Sequence, residues 1–201
     1  MNYKFIRQLA QQYEIILGSK SPRRVTLLKE IGINFSQIIP HIEEKQQSDE
    51  RPSDFAQRLA QDKALWVAKQ VEDKQLVISC DTIVVLNDQV LGKPVDNDDA
   101  FKILSTLIGK RHIVCTALAL ANKGKILAYG YELTNVFFKK ASEEQLRNYI
   151  ITGEPKDKAG AYGIQGMGGF LVDRIEGNLD NVIGLPRQLL GNLAKEVIKG
   201  N

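Results

Sequence analysis

The sequence predicts an α/β fold built on a mixed sheet, and three observations carry that prediction. Residues 15–18, Ile-Ile-Leu-Gly, are a short apolar run, followed by a basic turn and then by Val25, Leu27, Leu28 and Ile31 at helical spacing. Residues 113–121 and 126–138 are rich in β-forming side chains and are joined by Asn122-Lys123-Gly124, the pattern of a long hairpin. Further helical spacings lie between strand-like runs. Strand-helix units favour parallel neighbours and hairpins are antiparallel, so their coexistence calls for a mixed sheet.

Each element has a local reason. Residues 1–14 form a polar N-terminal extension with helical character, ahead of a single domain over 15–201. After the first strand, Ser21 suits an N-cap, Pro22 the first helical turn and Gly32 a left-handed stop. Residues 35–39 are strand-like, and the connection 41–51 is rich in Glu, Gln and Lys. Pro52-Ser53-Asp54 opens a helix with Phe55, Leu59, Leu65 and Trp66 on its apolar side. Residues 76–79 form a strand ending at Cys80-Asp81-Thr82, and 83–86 continue extended to a turn at Asn87-Asp88. A helix with an acidic first turn spans 96–107, with Gly109 beyond its end. Ser142-Glu143-Glu144-Gln145 is a capping box opening a helix that Gly153 closes. Residues 170–175 read as a strand and 185–198 as the last helix.

Composition narrows the class. A chain of 201 residues, 43% hydrophobic and 25% charged, is an ordinary globular protein able to bury a substantial core. The net charge of +3 is too small to call for nucleic acid and equally suits a site for a polyanionic small molecule. Cys80 and Cys115 stand without metal spacing or a disulfide framework, which fits a reducing cytosol. No apolar run reaches the length of a membrane span and no signal-peptide core is visible, so no membrane association and a cytoplasmic location are expected.

The chemistry concentrates in a few segments. Residues 157–166, Asp-Lys-Ala-Gly-Ala-Tyr-Gly-Ile-Gln-Gly, combine glycines with charged and amide side chains and no regular period, so they read as a ligand loop or as a tight structural turn. Ser19-Lys20-Ser21-Pro22-Arg23-Arg24 leads from a strand into a helix, where free amides and forked arginines favour phosphate; a solvated arginine pair is the plain alternative. Walker and dinucleotide glycine motifs are absent, and His41 and His112 give little support to a histidine-assisted nucleophile. Carboxylates are therefore the acid-base candidates. Asp81 is either catalytic or the cap of a turn, and Gly92-Lys93-Pro94 follows it closely. Glu44 could share a hard cation with Asp81, as magnesium takes one or two carboxylates together with substrate phosphates. Lys63 lies on a helix beside an expected Arg58 to Asp62 pair. Together these groups are an inventory for binding and hydrolysing a polyphosphate.

Leu17-Gly18-Ser19-Lys20-Ser21-Pro22-Arg23-Arg24, Asp81-Thr82, Gly92-Lys93-Pro94, His112-Ile113-Val114-Cys115-Thr116, Gly153-Glu154-Pro155, residues 157–166 and Asn181-Val182-Ile183-Gly184-Leu185-Pro186 occur in the order seen in the Maf family of nucleoside triphosphate pyrophosphatases. From Ile15 to the last helix the chain resembles that family, and most of all its dTTP/UTP pyrophosphatase branch. The resemblance implies a single Maf-like catalytic domain over 15–201, with a strongly curved mixed sheet in two lobes and a cleft, similar to inosine triphosphate pyrophosphatases. It also implies cleavage between the α- and β-phosphates of dTTP and UTP, with modified pyrimidine nucleotides as further substrates. The implied cofactor is a divalent cation, magnesium or manganese.

By the same resemblance Asp81 matches the proton acceptor, and Arg24, Thr82 and Gln165 match positions tied to substrate choice. Ser19, Arg23, Glu44, Lys63, Lys93 and Lys158 match other polar positions of the cleft. The resulting expectation places Asp81, Lys63 and Lys93 in catalysis, Glu44 and Asp81 on the metal, and Ser19, Arg23, Arg24, Thr82, Lys158 and Gln165 on substrate. Glu43 stands where Asp is usual and Leu179 where Tyr is frequent. The partner expected is a nucleotide, without a stable nucleic-acid complex, and a homodimer is compatible with the family. The competing reading is a nucleotide sensor or nucleic-acid-binding regulator of cell division. Two acids facing a polyphosphate favour chemistry over plain anion binding, because they repel it unless a metal intervenes.

Overall fold

A computed structural model describes residues 3–200. In chain order the elements are α1 (Lys4–Gln12), β1 (Glu14–Gly18), α2 (Pro22–Glu30), β2 (Phe35–Gln37), α3 (Pro52–Ala68), β3 (Gln75–Leu86), β4 (Gln89–Leu91), α4 (Asn97–Leu107), β5 (Arg111–Asn122), β6 (Lys125–Phe138), α5 (Glu143–Ile151), β7 (Val172–Glu176), α6 (Leu179–Ile183) and α7 (Arg187–Gly200). Seven strands make one mixed sheet in the order β2, β1, β3, β5, β6, β7, with β4 paired to β3 off that path. No helix among the described residues is long and apolar enough to cross a membrane.

The chain divides into two compact units, and β3, β5 and β6 carry residues of both. The first unit takes the residues up to Asp81, Thr116–Glu132 and those from Gly184 on. Here β1 runs parallel to both β2 and β3, with Leu17 opposite Ile78 and Gly18 opposite Ser79. Interior parallel strands are covered on both faces, which explains the unbroken apolar runs Ile15-Ile16-Leu17 and Leu76-Val77-Ile78, all buried. Within the extension, Lys4–Gln12 form α1, which packs on α7; Ile6 and Leu9 of α1 and Leu190 and Leu193 of α7 are buried. Arg7 Nε donates to the Ile31 carbonyl at 3.1 Å, so the extension also closes the end of α2.

The second unit holds Thr82–Cys115 and Leu133–Ile183. Its core gathers Val84, Leu104, Leu107, Val114, Val136, Phe138, Tyr149, Tyr162 and Leu171. The capping box of α5 forms as the sequence indicates, with the Ser142 hydroxyl accepting from the Gln145 amide and the Gln145 side chain accepting from Ser142. The turn at Asn87-Asp88 has φ of 49° and 62°, and Lys123-Gly124, which joins β5 to β6 in the first unit, has φ of 51° and 69°. Paired positive φ values are those of two-residue hairpin turns.

Some expected details change. Ser21 occupies the N-cap position of α2, but its side chain makes no capping bond; instead its amide donates to Ser19 Oγ at 3.2 Å. β3 runs unbroken through Asp81, because its later half finds a new partner in β4. Residues 167–171 form a 3-10 turn, so the strand begins at Val172. The expected last helix is preceded by the short α6, and α7 starts only after Gly184, with φ of 115°, and Pro186 break the path.

Candidate active site

In the first unit, the register of β1 and β3 creates the polar centre. β1 ends opposite Ser79, while β3 continues through Cys80 and Asp81, so Ser19 and Asp81 emerge near the carboxyl end of a parallel pair. Ligand sites of open α/β sheets form at such ends. A Cβ on Gly18 would collide with the Ser79 side chain and lie 3.3 Å from Val67 Cγ2, so a larger residue here would have to displace the Ser79 hydroxyl. The Ser79 hydroxyl in turn donates to the Gly18 carbonyl at 3.2 Å.

Lys63 reaches this centre from α3 and is 8% exposed. Its ammonium pairs with Asp81 Oδ1 at 2.5 Å and with Glu44 Oε1 at 2.7 Å. A lysine so buried is tolerable only with its charge compensated, and two carboxylates provide that. The ammonium thereby fixes both acids within one residue's reach. Glu44 comes from the connection ahead of α3, and Arg58 secures that connection. Its guanidinium takes both oxygens of Glu50 at 2.7 and 2.8 Å and also donates to the Lys45 carbonyl at 2.9 Å. The Asp62 pairing expected for Arg58 is present but longer, at 3.4 Å.

Arg24 is built into the frame. Nε donates to the Gly184 carbonyl at 2.8 Å, and Nη1 donates to Ser19 Oγ at 3.0 Å and to the Cys80 carbonyl at 2.9 Å. One side chain thus ties the turn after β1 to the residue before Asp81. Gln37 Nε2 adds a bond to the Ser19 carbonyl at 2.5 Å. Arg23 stands half-buried in the first turn of α2. Cys80 is fully enclosed, and burial pushes its thiol up to about 11, so it is no nucleophile.

The second unit carries Thr82, Lys93, Lys158 and Gln165. Lys93 is exposed in the turn after β4, and the Gly92 carbonyl accepts from the Gly160 amide at 3.0 Å, so this turn and the glycine-rich loop are hydrogen-bonded. Gly160 has φ of 69°, and a Cβ there would come within 2.8 Å of Val84, which makes glycine structurally required. Lys158 Nζ donates to the Glu154 carbonyl and to Asp157 Oδ1, both at 2.6 Å, so its ammonium bonds within its own loop. Gln165 is exposed. The sequence reading missed Arg58 as an anchor of the Glu44 segment, Gln37, and the Tyr149 and Glu154 side chains inside the loop. The only sequence signal for Glu154 was its place in Gly153-Glu154-Pro155, directly before the glycines.

This arrangement defines an α/β protein with an acid-lysine array at the end of parallel strands. Its fold is similar to that of a HAM1 protein from Coxiella burnetii, with a TM-score of 0.51, 16% identity, and coverage of 92% of this chain and 99% of that one. The chain belongs to the family described as Maf-like protein, whose model matches residues 14–197. A dTTP/UTP pyrophosphatase of Thermoanaerobacter pseudethanolicus is 45% identical over 184 residues, covering 90% of this chain and 95% of that protein. One of Vibrio cholerae serotype O1 is 44% identical over 173 residues, covering 86% and 92%.

Proposed function

We propose that this protein is a cytoplasmic, divalent-metal-dependent nucleoside triphosphate pyrophosphatase that hydrolyses dTTP and UTP to the monophosphate and pyrophosphate. The observation that carries the reading is Lys63 held between Asp81 and Glu44, in a chain whose relatives at 45% identity bear the name dTTP/UTP pyrophosphatase.

In this reading Asp81 accepts the proton of the attacking water on Oδ2, because Oδ1 is engaged by Lys63. Lys63 keeps the carboxylate oriented and balances its charge as the water is drawn in. Glu44 and Asp81, which converge on the Lys63 ammonium, are the two carboxylates that would hold a hard cation, and substrate phosphates and water would have to supply the rest of its shell. When bound, magnesium or manganese would neutralise phosphate charge there. Arg23 and Lys93 are assigned to the triphosphate, where charge grows on the leaving pyrophosphate. Ser19 and Arg24 shape the phosphate-binding turn, and Lys158 braces the loop that carries Gln165. Thr82 and Gln165 are assigned to the pyrimidine, since a glutamine amide offers a donor and an acceptor together to the imide edge of uracil or thymine.

The test is a product analysis of UTP hydrolysis with and without chelator. UMP and pyrophosphate should be the first products, with activity lost in chelator and regained with magnesium or manganese. Early UDP and orthophosphate would reassign the cleaved bond, and full activity in excess chelator would remove the metal.

A further inference from the structure

Glu154 is the hub of the loop that carries Gln165. Its carboxylate is met by three donors: Oε2 accepts from the Met167 amide at 2.8 Å, and Oε1 accepts from the Gly168 amide at 3.1 Å and from the Tyr149 hydroxyl at 3.0 Å. The Tyr149 oxygen itself accepts from the Gly163 amide at 3.2 Å. Backbone groups on both sides of Gln165 are therefore tied, directly or through one hydroxyl, to a single side chain.

The glycines follow from this. A Cβ at Gly163 would lie 2.9 Å from Glu154 Oε1, one at Gly166 would lie 2.7 Å from the Glu154 carboxyl carbon, and one at Gly168 would lie 2.6 Å from the Tyr149 hydroxyl. The backbone wraps the Glu154 carboxylate and its tyrosine partner so closely that a side chain at any of the three positions would have to displace one of them. Burial alone would raise the Glu154 carboxyl, but the Gly168 and Met167 amides, the Tyr149 hydroxyl and Lys158 outweigh it and hold the group below the usual range. A carboxylate so fully supplied with donors is a poor base, which leaves it an architectural task.

We propose that Glu154 is a positioning residue for pyrimidine recognition, its carboxylate setting the backbone of residues 163–168 so that the Gln165 amide is presented in one orientation. The inference rests on the assignment of Gln165 to the base under the proposed function. It differs from a general stabilising role, because it predicts a loss of discrimination between bases.

The decisive variant is Glu154→Gln, which keeps the shape but turns a donor toward one backbone donor. Tyr149→Phe is the milder companion, removing only the hydroxyl relay to Gly163. Both are compared with the wild type for kcat and KM on UTP, dTTP and CTP, and for amide hydrogen exchange over residues 163–168. Glu154→Gln should lower kcat/KM for UTP and dTTP roughly ten- to a hundred-fold, the scale of a lost hydrogen bond to a charged group. The loss for CTP should be smaller, so that the UTP-to-CTP ratio moves toward one; Tyr149→Phe should shift it the same way by several-fold. Exchange over the loop should quicken in both variants. An unchanged UTP-to-CTP ratio in the folded variants, or undiminished loop protection, overturns the role of Glu154. A wild type with no preference for UTP over CTP instead defeats the substrate reading, and the exchange comparison then judges Glu154 by itself.

Discussion

Lys63, Asp81 and Glu44 show how a buried charge is accommodated. A lysine that is 8% exposed costs several kcal/mol to keep charged, and two acids at 2.5 and 2.7 Å offset that cost while being fixed by it. The same pairing raises the stakes of any substitution. Asp81→Asn should reduce kcat by about a hundred- to ten-thousand-fold, because an amide does not accept a proton at neutral pH. It should also lower stability by about 1–3 kcal/mol, since Lys63 loses one of its two charged partners. Steady-state kinetics together with a denaturation curve separate the two effects. A folded Asp81→Asn protein that turns over near the normal rate would remove Asp81 from the base role. Arg24 teaches a different lesson. Three of its bonds, from Nε and Nη1, go to Ser19 and to the carbonyls of Cys80 and Gly184, so one guanidinium holds together the turn to which substrate phosphate is assigned.

The connection before α3 has no regular structure, so the location of Glu44 depends on what pins that connection down. Arg58 does so through both oxygens of Glu50 and the Lys45 carbonyl, one residue from Glu44. Arg58→Ala should therefore lower apparent magnesium affinity and kcat by about ten-fold while α3 stays helical, since a bidentate charged bond is among the stronger side-chain contacts. A metal titration of activity checks this, and an unchanged midpoint would free Glu44 from its dependence on Arg58. Elements whose cause is local were legible in the sequence: the α5 capping box, the two hairpin turns, the Gly32 stop and the apolar runs of β1 and β3. Contacts between residues distant in sequence were not. No pattern in the chain indicates that Arg58 would prefer Glu50 to Asp62, or that β3 would change partner and run on through Asp81. The glycine loop lay between these cases. Its residues marked it as irregular and special, but only the fold places the Glu154 carboxylate inside it.

At the scale of the whole molecule, acid stability depends on the few groups whose protonation differs between folded and unfolded chains. His112 is 1% exposed, with Nε2 hydrogen-bonded to the Tyr162 oxygen at 2.8 Å and its ring edge-on to Phe138 and Tyr162. Its Nδ1 has no hydrogen-bond partner among the described residues, so a second proton would be buried without an acceptor. Burial accordingly brings its pKa down from 6.5 to about 4. The folded value is the lower one, so between these limits the unfolded chain binds the extra proton. The stabilisation is complete above about pH 6.5, declines as pH falls, and is gone below about 4, a span worth about 3 kcal/mol at 1.36 kcal/mol per unit. Glu154 acts in the same direction at lower pH, because its carboxyl is held below the unfolded value and its contribution fades only as that group protonates. His112→Gln replaces the imidazole by an amide that is uncharged throughout. The stability of wild type minus that of His112→Gln, from urea curves at pH 7 and pH 5, should shrink by about 2 kcal/mol between the two, while the contribution of Glu154 cancels in the subtraction. A difference that stays constant with pH would show that His112 takes up its proton in the folded protein as readily as in the unfolded one.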